Sequence, residues 1–223
     1  KNNNLNDFNI NSIWWICLNV FLTLLAYPLI PLLERLFGFT SSITLAELSD
    51  LNNNLLKELS IKAPGTFQHV LHVATLAEAA SEKIGANSTM ARVGALYHDI
   101  GKMKNPFNFT ENQNNVNPHD SLDCVTSAKI IIEHVPEGVR IGKKFGLPSV
   151  IIKNKKTHHG TTKVEYFYRK FMKEHADHPV DEKVFTYPGP KPKSKEQVIV
   201  MLADTVEAAV KSLMNPTEEE INE

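Results

Sequence analysis

The hydrophobic pattern divides the chain into one uninterrupted apolar run and a longer stretch with helical periodicity. Residues 13–33 carry no formal charge, and at about 1.5 Å per residue this run is long enough to cross a bilayer core of roughly 30 Å. We therefore predict a membrane helix over residues 13–36, after a loop or disordered start at residues 1–12. A helix that docks on a partner or lies in the membrane interface is the alternative.

Leucines at helical spacing follow the apolar run. They extend from Leu45 to Leu59 and are interrupted by a run of asparagines, which predicts one or two linker helices within residues 37–62. Pro64 and Gly65 then punctuate the chain, and Thr66 is predicted to cap the next helix.

Helical patterns continue through the rest of the chain, separated by turns rich in Pro, Gly and Asn. Pro136 and Gly138 are predicted to end one of these helices. No strand pattern stands out, so we predict an all-α fold. It consists of the membrane helix, the linker, a helical bundle over residues 63–215 and an acidic tail at residues 216–223.

Composition narrows the classes of function. With a net charge of -1, the chain has no bulk cationic field for long nucleic acid or for an acidic membrane surface. Only two cysteines occur, Cys17 and Cys124, which suits a reducing compartment and excludes a thiolate zinc site. Nine histidines are the unusual feature.

The adjacent pair His98 and Asp99 is the strongest candidate for metal chemistry. Neighbours on a helix lie about 100° apart and can present an imidazole and a carboxylate to one ion or to two adjacent ions. A lone histidine on an apolar face is more often a core residue, so the pair gains weight only if other ligands converge on it. The further candidates, each on or at the end of a predicted helix, are His69, His134, His158, His159 and Asp204.

Several sequence motifs resemble the HD-domain phosphohydrolases. They include HDIGK at residues 98–102, HHGTT at residues 158–162 and MLADTVEAA around Asp204. Further motifs, PGTFQH, NPHD and YPGPKP, are similar to the cytosolic part of the seven-transmembrane HD receptors of the PgpH type, which hydrolyse cyclic di-AMP. A segment at residues 27–51 also resembles the last membrane helix and linker of that family; it reads YPLIPLLERLFGFTSSITLAELSDL.

The resemblance implies a binuclear site. One metal ion would be held by His69, His98, Asp99 and Asp204, and the other by Asp99, His134, His158 and His159. Asp99 would be the bridging catalytic residue. The mixed imidazole and carboxylate set suits two divalent transition-metal ions, iron or manganese, better than magnesium.

The resemblance also implies residues that contact the substrate. Lys102 would place its ammonium beside a bound phosphate, with a solvated helix-end lysine as the alternative. Tyr187 could stack on a base and Lys191 meet a second phosphate, unless YPGPKP is only a rigid surface loop. His119 would reach the site or cap a helix, and it is left out of the metal set. Three other histidines are expected to be structural or exposed: His72, His175 and His178.

The function implied is hydrolysis of cyclic di-AMP to linear pApA through a water activated by two metal ions. The chain would be anchored in the cell membrane with a cytoplasmic catalytic domain. Two alternatives stay open: hydrolysis of a mononucleotide or alarmone, and a membrane-tethered sensor that binds a nucleotide without turnover. Formation of a homodimer is also left open.

Overall fold

The structure is a computed structural model that describes residues 10–114, 116–175 and 181–213, apart from the side chain of Arg35. Within these ranges nine α-helices are joined by turns and short 3₁₀ segments, and a single antiparallel bridge links Lys163 to Thr186. The prediction of an all-α fold is confirmed. The helices are α1 (Ile10–Phe37), α2 (Ser42–Ser49), α3 (Asn54–Lys62), α4 (Pro64–Lys83), α5 (Ser88–Tyr97), α6 (Cys124–Lys144), α7 (Ser149–Thr157), α8 (Glu165–Glu174) and α9 (Lys195–Ser212).

Helix α1 belongs to a first compact unit that ends at Ser41. The most apolar window of 18 residues within its segment Ile10–Glu34 has a mean hydropathy of 2.1, and none of that window is buried within the chain. By length and composition α1 can cross a membrane. Helix α1 starts at Ile10, three residues before the predicted start at Ile13, so only residues 1–9 of the predicted loop lie outside the described ranges.

The second unit starts at Ser42 and is built around α4, α5 and α9. Small residues on α5, among them Ala91 and Ala95, are fully buried, which lets its backbone approach the neighbouring helices closely. Leu55 and Leu59 of α3 lie in the same core. Both helices that the sequence assigned to the linker, α2 and α3, therefore pack as part of this unit.

Helix α6 corrects one prediction, because it runs through Pro136 without a break. A proline inside a helix removes one hydrogen bond. Here the next two residues, Glu137 and Gly138, are buried, with Gly138 packed against Lys155 of α7, and the packing of this face offsets the missing bond. A continuous α6 carries His134 into the interior of the unit.

The prediction that Thr66 caps a helix is also wrong, because α4 begins at Pro64 and Ala63 is its capping residue. Proline suits the first helical position because its missing N–H would have no partner inside the helix. Thr66 therefore lies within the first turn, fully buried, and its hydroxyl donates to Glu111 at 2.9 Å. The predicted acidic tail, residues 216–223, lies outside the described residues.

Candidate metal centre

Seven side chains from five parts of the fold converge in the second unit, and they are the seven ligands predicted from the sequence. They divide into two groups that share Asp99. The first, which we call the carboxylate group, consists of His69 on α4, His98 at the end of α5 and Asp204 on α9. The second, the imidazole group, consists of His134 on α6 and the pair that follows α7, His158 and His159.

Asp99 lies between the two groups and turns one oxygen toward each. Its Oδ2 is 3.6 Å from Nε2 of His69 and 3.2 Å from Nε2 of His98. Its Oδ1 is 3.3 Å from Nε2 of His134 and 3.6 Å from Nε2 of His158. Ligand atoms about 2.1 Å from a common ion lie roughly 3 to 3.5 Å apart, so these separations fit two ions with Asp99 between them.

Three histidines are oriented by hydrogen bonds to the backbone. In each ring, Nδ1 lies close to the backbone carbonyl oxygen of the residue three positions earlier. The distance is 2.7 Å for His98 and 2.6 Å for both His134 and His158. A carbonyl oxygen only accepts hydrogen bonds, so Nδ1 carries a proton in each ring, and Nε2 is the atom that presents a lone pair whenever the ring is neutral. The three rings are thereby fixed in the tautomer that a metal ion needs.

The lone pairs of the ring nitrogens point toward one another and toward a carboxylate, an arrangement that suits a bound cation. Nε2 of His134 and Nε2 of His158 lie 3.2 Å apart, and both face the carboxylate of Asp99. Two lone pairs and an anionic oxygen repel one another unless a cation lies among them. Among the described residues, Nε2 of His98 and Oδ1 of Asp99 are also buried without a hydrogen-bond partner. The cluster is therefore suited to divalent metal ions.

The carboxylate group has a supporting residue that the sequence reasoning missed. Oδ1 of Asp204 is 3.0 Å from Nε2 of His69, and Oε2 of Glu207 is 2.6 Å from Nδ1 of the same ring. Glu207 is buried and orients His69 as the backbone carbonyls orient the other histidines. Its partner His69 lies 138 residues earlier in the chain, so no local spacing in the sequence pointed to Glu207.

The ionisation of the two groups differs. Burial opposes protonation of His98, but Asp99 and Asp204 outweigh burial and raise the pKa of His98 to about 10. Burial lowers the pKa of His158 to about 4 and holds the pKa values of His134 and His159 well below their usual range. The imidazole group is therefore neutral near pH 7, and the carboxylate group carries the charge.

The ammonium of Lys102 lies next to the cluster, and its contact with a phosphate stays a prediction. Its Nζ lies 2.8 Å from Oδ2 of Asp99 and 2.8 Å from Oε1 of Glu111. The same nitrogen lies 4.9 Å from the centre of the Phe109 ring. Burial disfavours the charge, but the two carboxylates outweigh it and raise the pKa of Lys102, so the lysine stays cationic.

The close approach of α6 to the centre requires glycine at position 101. A Cβ there would lie only 1.9 Å from the carbonyl oxygen of His134.

Behind α5, the buried Lys155 donates to the carbonyl oxygen of His98 at 2.6 Å, at the helix end where a positive charge is favourable. Lys155 was not predicted, because a lysine in a polar helical segment is usually exposed.

The two residues of the YPGPKP segment lie in different places. The ring of Tyr187 stacks on His159 with centroids 4.2 Å apart and is mostly buried. Lys191 is exposed and lines a cavity of ≈ 600 Å³ together with Lys153 and Lys156, outside the histidine cluster. Stacking of Tyr187 on a base and binding of a phosphate by Lys191 stay predictions.

The remaining described histidines lie outside the two groups. Nε2 of His119 donates to the carbonyl oxygen of Asn108 at 3.0 Å, which ties together the loop beside the centre. His72 is largely exposed and lies 3.4 Å from Glu207. His175 is exposed as well, and His178 lies outside the described residues.

The fold and the cluster together define a helical domain with a buried His/Asp cluster that is suited to divalent metal ions, and comparison with known proteins gives its family. The family model for the HD domain matches residues 66–209, a range that contains all seven candidate ligands. The chain therefore belongs to the HD domain family.

Similar proteins of known function are cyclic-di-AMP phosphodiesterases. The PgpH protein of Bacillus subtilis (strain 168) is 46% identical over 200 residues, which cover 89% of this chain. The PgpH protein of Listeria monocytogenes serotype 1/2a (strain 10403S) is 46% identical over 201 residues, or 90% of this chain. The matched region spans 28% of the length of each of these relatives.

A solved structure supports the same relationship. The crystal structure of the L. monocytogenes PgpH HD domain in complex with cyclic di-AMP superimposes with a TM-score of 0.73 and 47% sequence identity. The superposition covers 77% of this chain and 80% of that chain.

Proposed function

We propose that this chain contains a metal-dependent phosphodiesterase domain that hydrolyses cyclic di-AMP to linear pApA. The observation that carries the proposal is the position of Asp99, whose two oxygens face two separate sets of histidines. Its support is the identity of 46% to two PgpH phosphodiesterases and the likeness to a domain crystallised with cyclic di-AMP.

In the proposed site the carboxylate group and Asp99 would hold one divalent ion, and the imidazole group and Asp99 would hold the other. Two such ions, when bound, lower the pKa of a water molecule between them and offset negative charge on the phosphodiester oxygens. We infer that the ions are iron or manganese, because imidazole nitrogen and carboxylate oxygen together favour borderline metals. Backbone carbonyls and Glu207 keep the histidine rings in the orientation that leaves their ligand atoms free.

The chain's own residues then account for binding and orientation. The ammonium of Lys102, held next to Asp99, donates to a non-bridging oxygen of the phosphodiester and stabilises its charge. The oxygen of the attacking water forms a bond to phosphorus while the bond from phosphorus to the 3′ oxygen breaks. The attacking water gives up its protons, one of which goes to the leaving 3′ oxygen, and the product is the linear dinucleotide with a 3′ hydroxyl and a 5′ phosphate.

We also propose that α1 anchors the chain in the cell membrane and that the HD domain lies in the cytoplasm. Support comes from the mean hydropathy of 2.1 in the most apolar window of 18 residues within Ile10–Glu34 and from two cysteines that are both free. Expressed chain should stay in the membrane fraction after alkaline extraction, and the same chain without residues 1–41 should be released. Release of both forms would contradict the anchor.

The catalytic proposal is tested on the chain from residue 42 onward, loaded with manganese or iron. Incubation with cyclic di-AMP should give pApA, measured by chromatography, and Asp99→Ala should abolish the conversion. Asp120→Asn, a change at an exposed carboxyl in the nearby loop, is the matched control and should keep the activity. A metal-loaded wild type that leaves cyclic di-AMP intact but cleaves a mononucleotide or alarmone would overturn the substrate proposed here.

A further inference from the structure

Lys102 is held by two carboxylates, and only one of them belongs to the metal centre. Asp99 is a candidate ligand for both ions, so its charge is shared with the cations when they are bound. Glu111, whose Oε1 lies 2.8 Å from Nζ of Lys102, is outside both ligand groups. Glu111 is therefore the partner that can hold the ammonium in place while Asp99 binds metal.

Glu111 is itself fixed by the first turn of α4. Thr66 donates its hydroxyl to Oε1 of Glu111 at 2.9 Å, and Asn112 donates to the same hydroxyl oxygen at 2.7 Å. The backbone N–H of Thr66 donates in turn to Oδ1 of Asn112 at 3.2 Å. Three hydrogen bonds thus clamp the loop to α4, and none of them involves a candidate metal ligand.

The backbone at this contact leaves no room for adjustment. A Cβ at position 65 would lie 1.8 Å from the carbonyl oxygen of Glu111, so only glycine allows the loop to dock this closely. Glu111 is also largely buried, and Lys102 holds the pKa of its carboxyl below the usual range against the effect of burial. A buried, anchored anion defines the position of a neighbouring cation better than an exposed one does.

We propose that Glu111 is a positioning residue for the phosphodiesterase reaction, and that it acts through Lys102 by aiming the ammonium at the phosphate of the substrate. The proposal rests on the proposed function, because Lys102 contacts the phosphate only if the centre binds a phosphodiester. Thr66 and Asn112 support Glu111, and Gly65 permits the contact.

A double-mutant cycle tests the proposal, with cyclic di-AMP and bis(p-nitrophenyl) phosphate as substrates. We expect Glu111→Gln to lower kcat/KM about tenfold and Lys102→Ala to lower it about a hundredfold, with metal content and melting temperature close to wild type. Lys102→Ala combined with Glu111→Gln should be no slower than Lys102→Ala alone. Additive losses, or a Glu111→Gln variant with wild-type kinetics, would overturn the proposal.

Two matched controls separate positioning from folding. Glu82→Gln changes an exposed glutamate at the other end of α4 and should leave kinetics unchanged. Thr66→Val removes the hydroxyl that anchors Glu111 and should reproduce the loss of kcat/KM, whereas Thr66→Ser keeps the hydroxyl and should restore activity. Equal kinetics for Thr66→Val and Thr66→Ser would contradict the anchoring role.

Binding gives a readout that does not depend on turnover. Affinity for a hydrolysis-resistant phosphorothioate analogue of cyclic di-AMP, measured by calorimetry, should fall about tenfold in Glu111→Gln and should not fall further when Lys102 is already alanine. If the wild type cleaves bis(p-nitrophenyl) phosphate but not cyclic di-AMP, the substrate proposal fails. The double-mutant cycle measured with bis(p-nitrophenyl) phosphate still decides the role of Glu111.

Discussion

The carboxylate group and the imidazole group both face Asp99, but their side chains are held in place in different ways. Asp204 contacts His69, and Glu207 contacts the far side of the same ring, so the carboxylate group concentrates negative charge. The imidazole group has three neutral rings, two of which donate to backbone carbonyls at the ends of helical turns. One group attracts a cation by charge, and the other by the alignment of lone pairs.

The difference has a chemical consequence. Carboxylates favour hard cations, and imidazoles favour borderline transition metals. We therefore expect the ion at the carboxylate group to be held more tightly and with less discrimination between metals. The ion at the imidazole group should exchange first and should depend more on the metal supplied.

Removing one ligand from each group is the strongest test of this contrast. His158→Ala should empty the imidazole group and leave about one ion per chain, because Asp99 and the carboxylate group are intact. His69→Ala should weaken the carboxylate group, with the imidazole group keeping its ion. Both variants should lose phosphodiesterase activity, and elemental analysis after dialysis measures the ions that remain.

His72→Ala is the matched control for these changes, because His72 lies one turn from His69 on α4 but is largely exposed. The control should keep two ions and full activity. Loss of both ions from either ligand variant would mean that the two groups are not separate sites.

Glu207→Gln is expected to have a smaller effect, limited to one group. An amide cannot supply the negative charge that orients and polarises His69, so the affinity of the carboxylate group for its ion should fall about 10- to 100-fold. The imidazole group should be unchanged. Competition with a chelator of known affinity gives the two dissociation steps, and equal weakening of both would contradict the assignment.

The smallest expected effect concerns Lys155, which supports the carbonyl end of α5 behind the centre. Burial lowers the pKa of Lys155 to about 7, whereas an unfolded lysine titrates near 10.4. Between these values the unfolded chain binds more protons than the folded chain, so this group makes the free energy of unfolding rise with pH. Its largest contribution to the slope is about 1.4 kcal/mol per pH unit.

Lys155→Met should remove that part of the pH dependence. Urea unfolding of the metal-free protein at pH 7 and at pH 9 measures the slope, and Lys156→Met, at an exposed position on the same helix, is the control. An unchanged slope in Lys155→Met would show that the lysine stays protonated in the folded state.

Sequence patterns were sufficient to predict which side chains form the cluster. The convergence of the seven candidate ligands was predictable because histidine and aspartate stand next to one another at residues 98 and 99, and because the motifs that contain the candidates resemble a known family. The all-α fold was predictable too, since helical periodicity between turns rich in Pro, Gly and Asn is visible in the sequence.

The supporting residues could not be predicted in the same way. Glu207 and Glu111 contact partners 138 and 45 residues away in sequence, respectively His69 and Thr66, and local spacing carries no such information. Pro136 was expected to end a helix, because the local penalty is visible in the sequence while the packing of Gly138 on Lys155 that offsets it is not. Tertiary contacts, rather than local preference, determined each of these positions.

The central claim is that Asp99 bridges two metal ions held by two distinct groups. Anomalous diffraction from crystals grown with manganese tests the claim directly. The account predicts two peaks per chain, one beside His69, His98 and Asp204 and one beside His134, His158 and His159, with an oxygen of Asp99 bound to each. A single peak, or two peaks of which only one contacts Asp99, would contradict it.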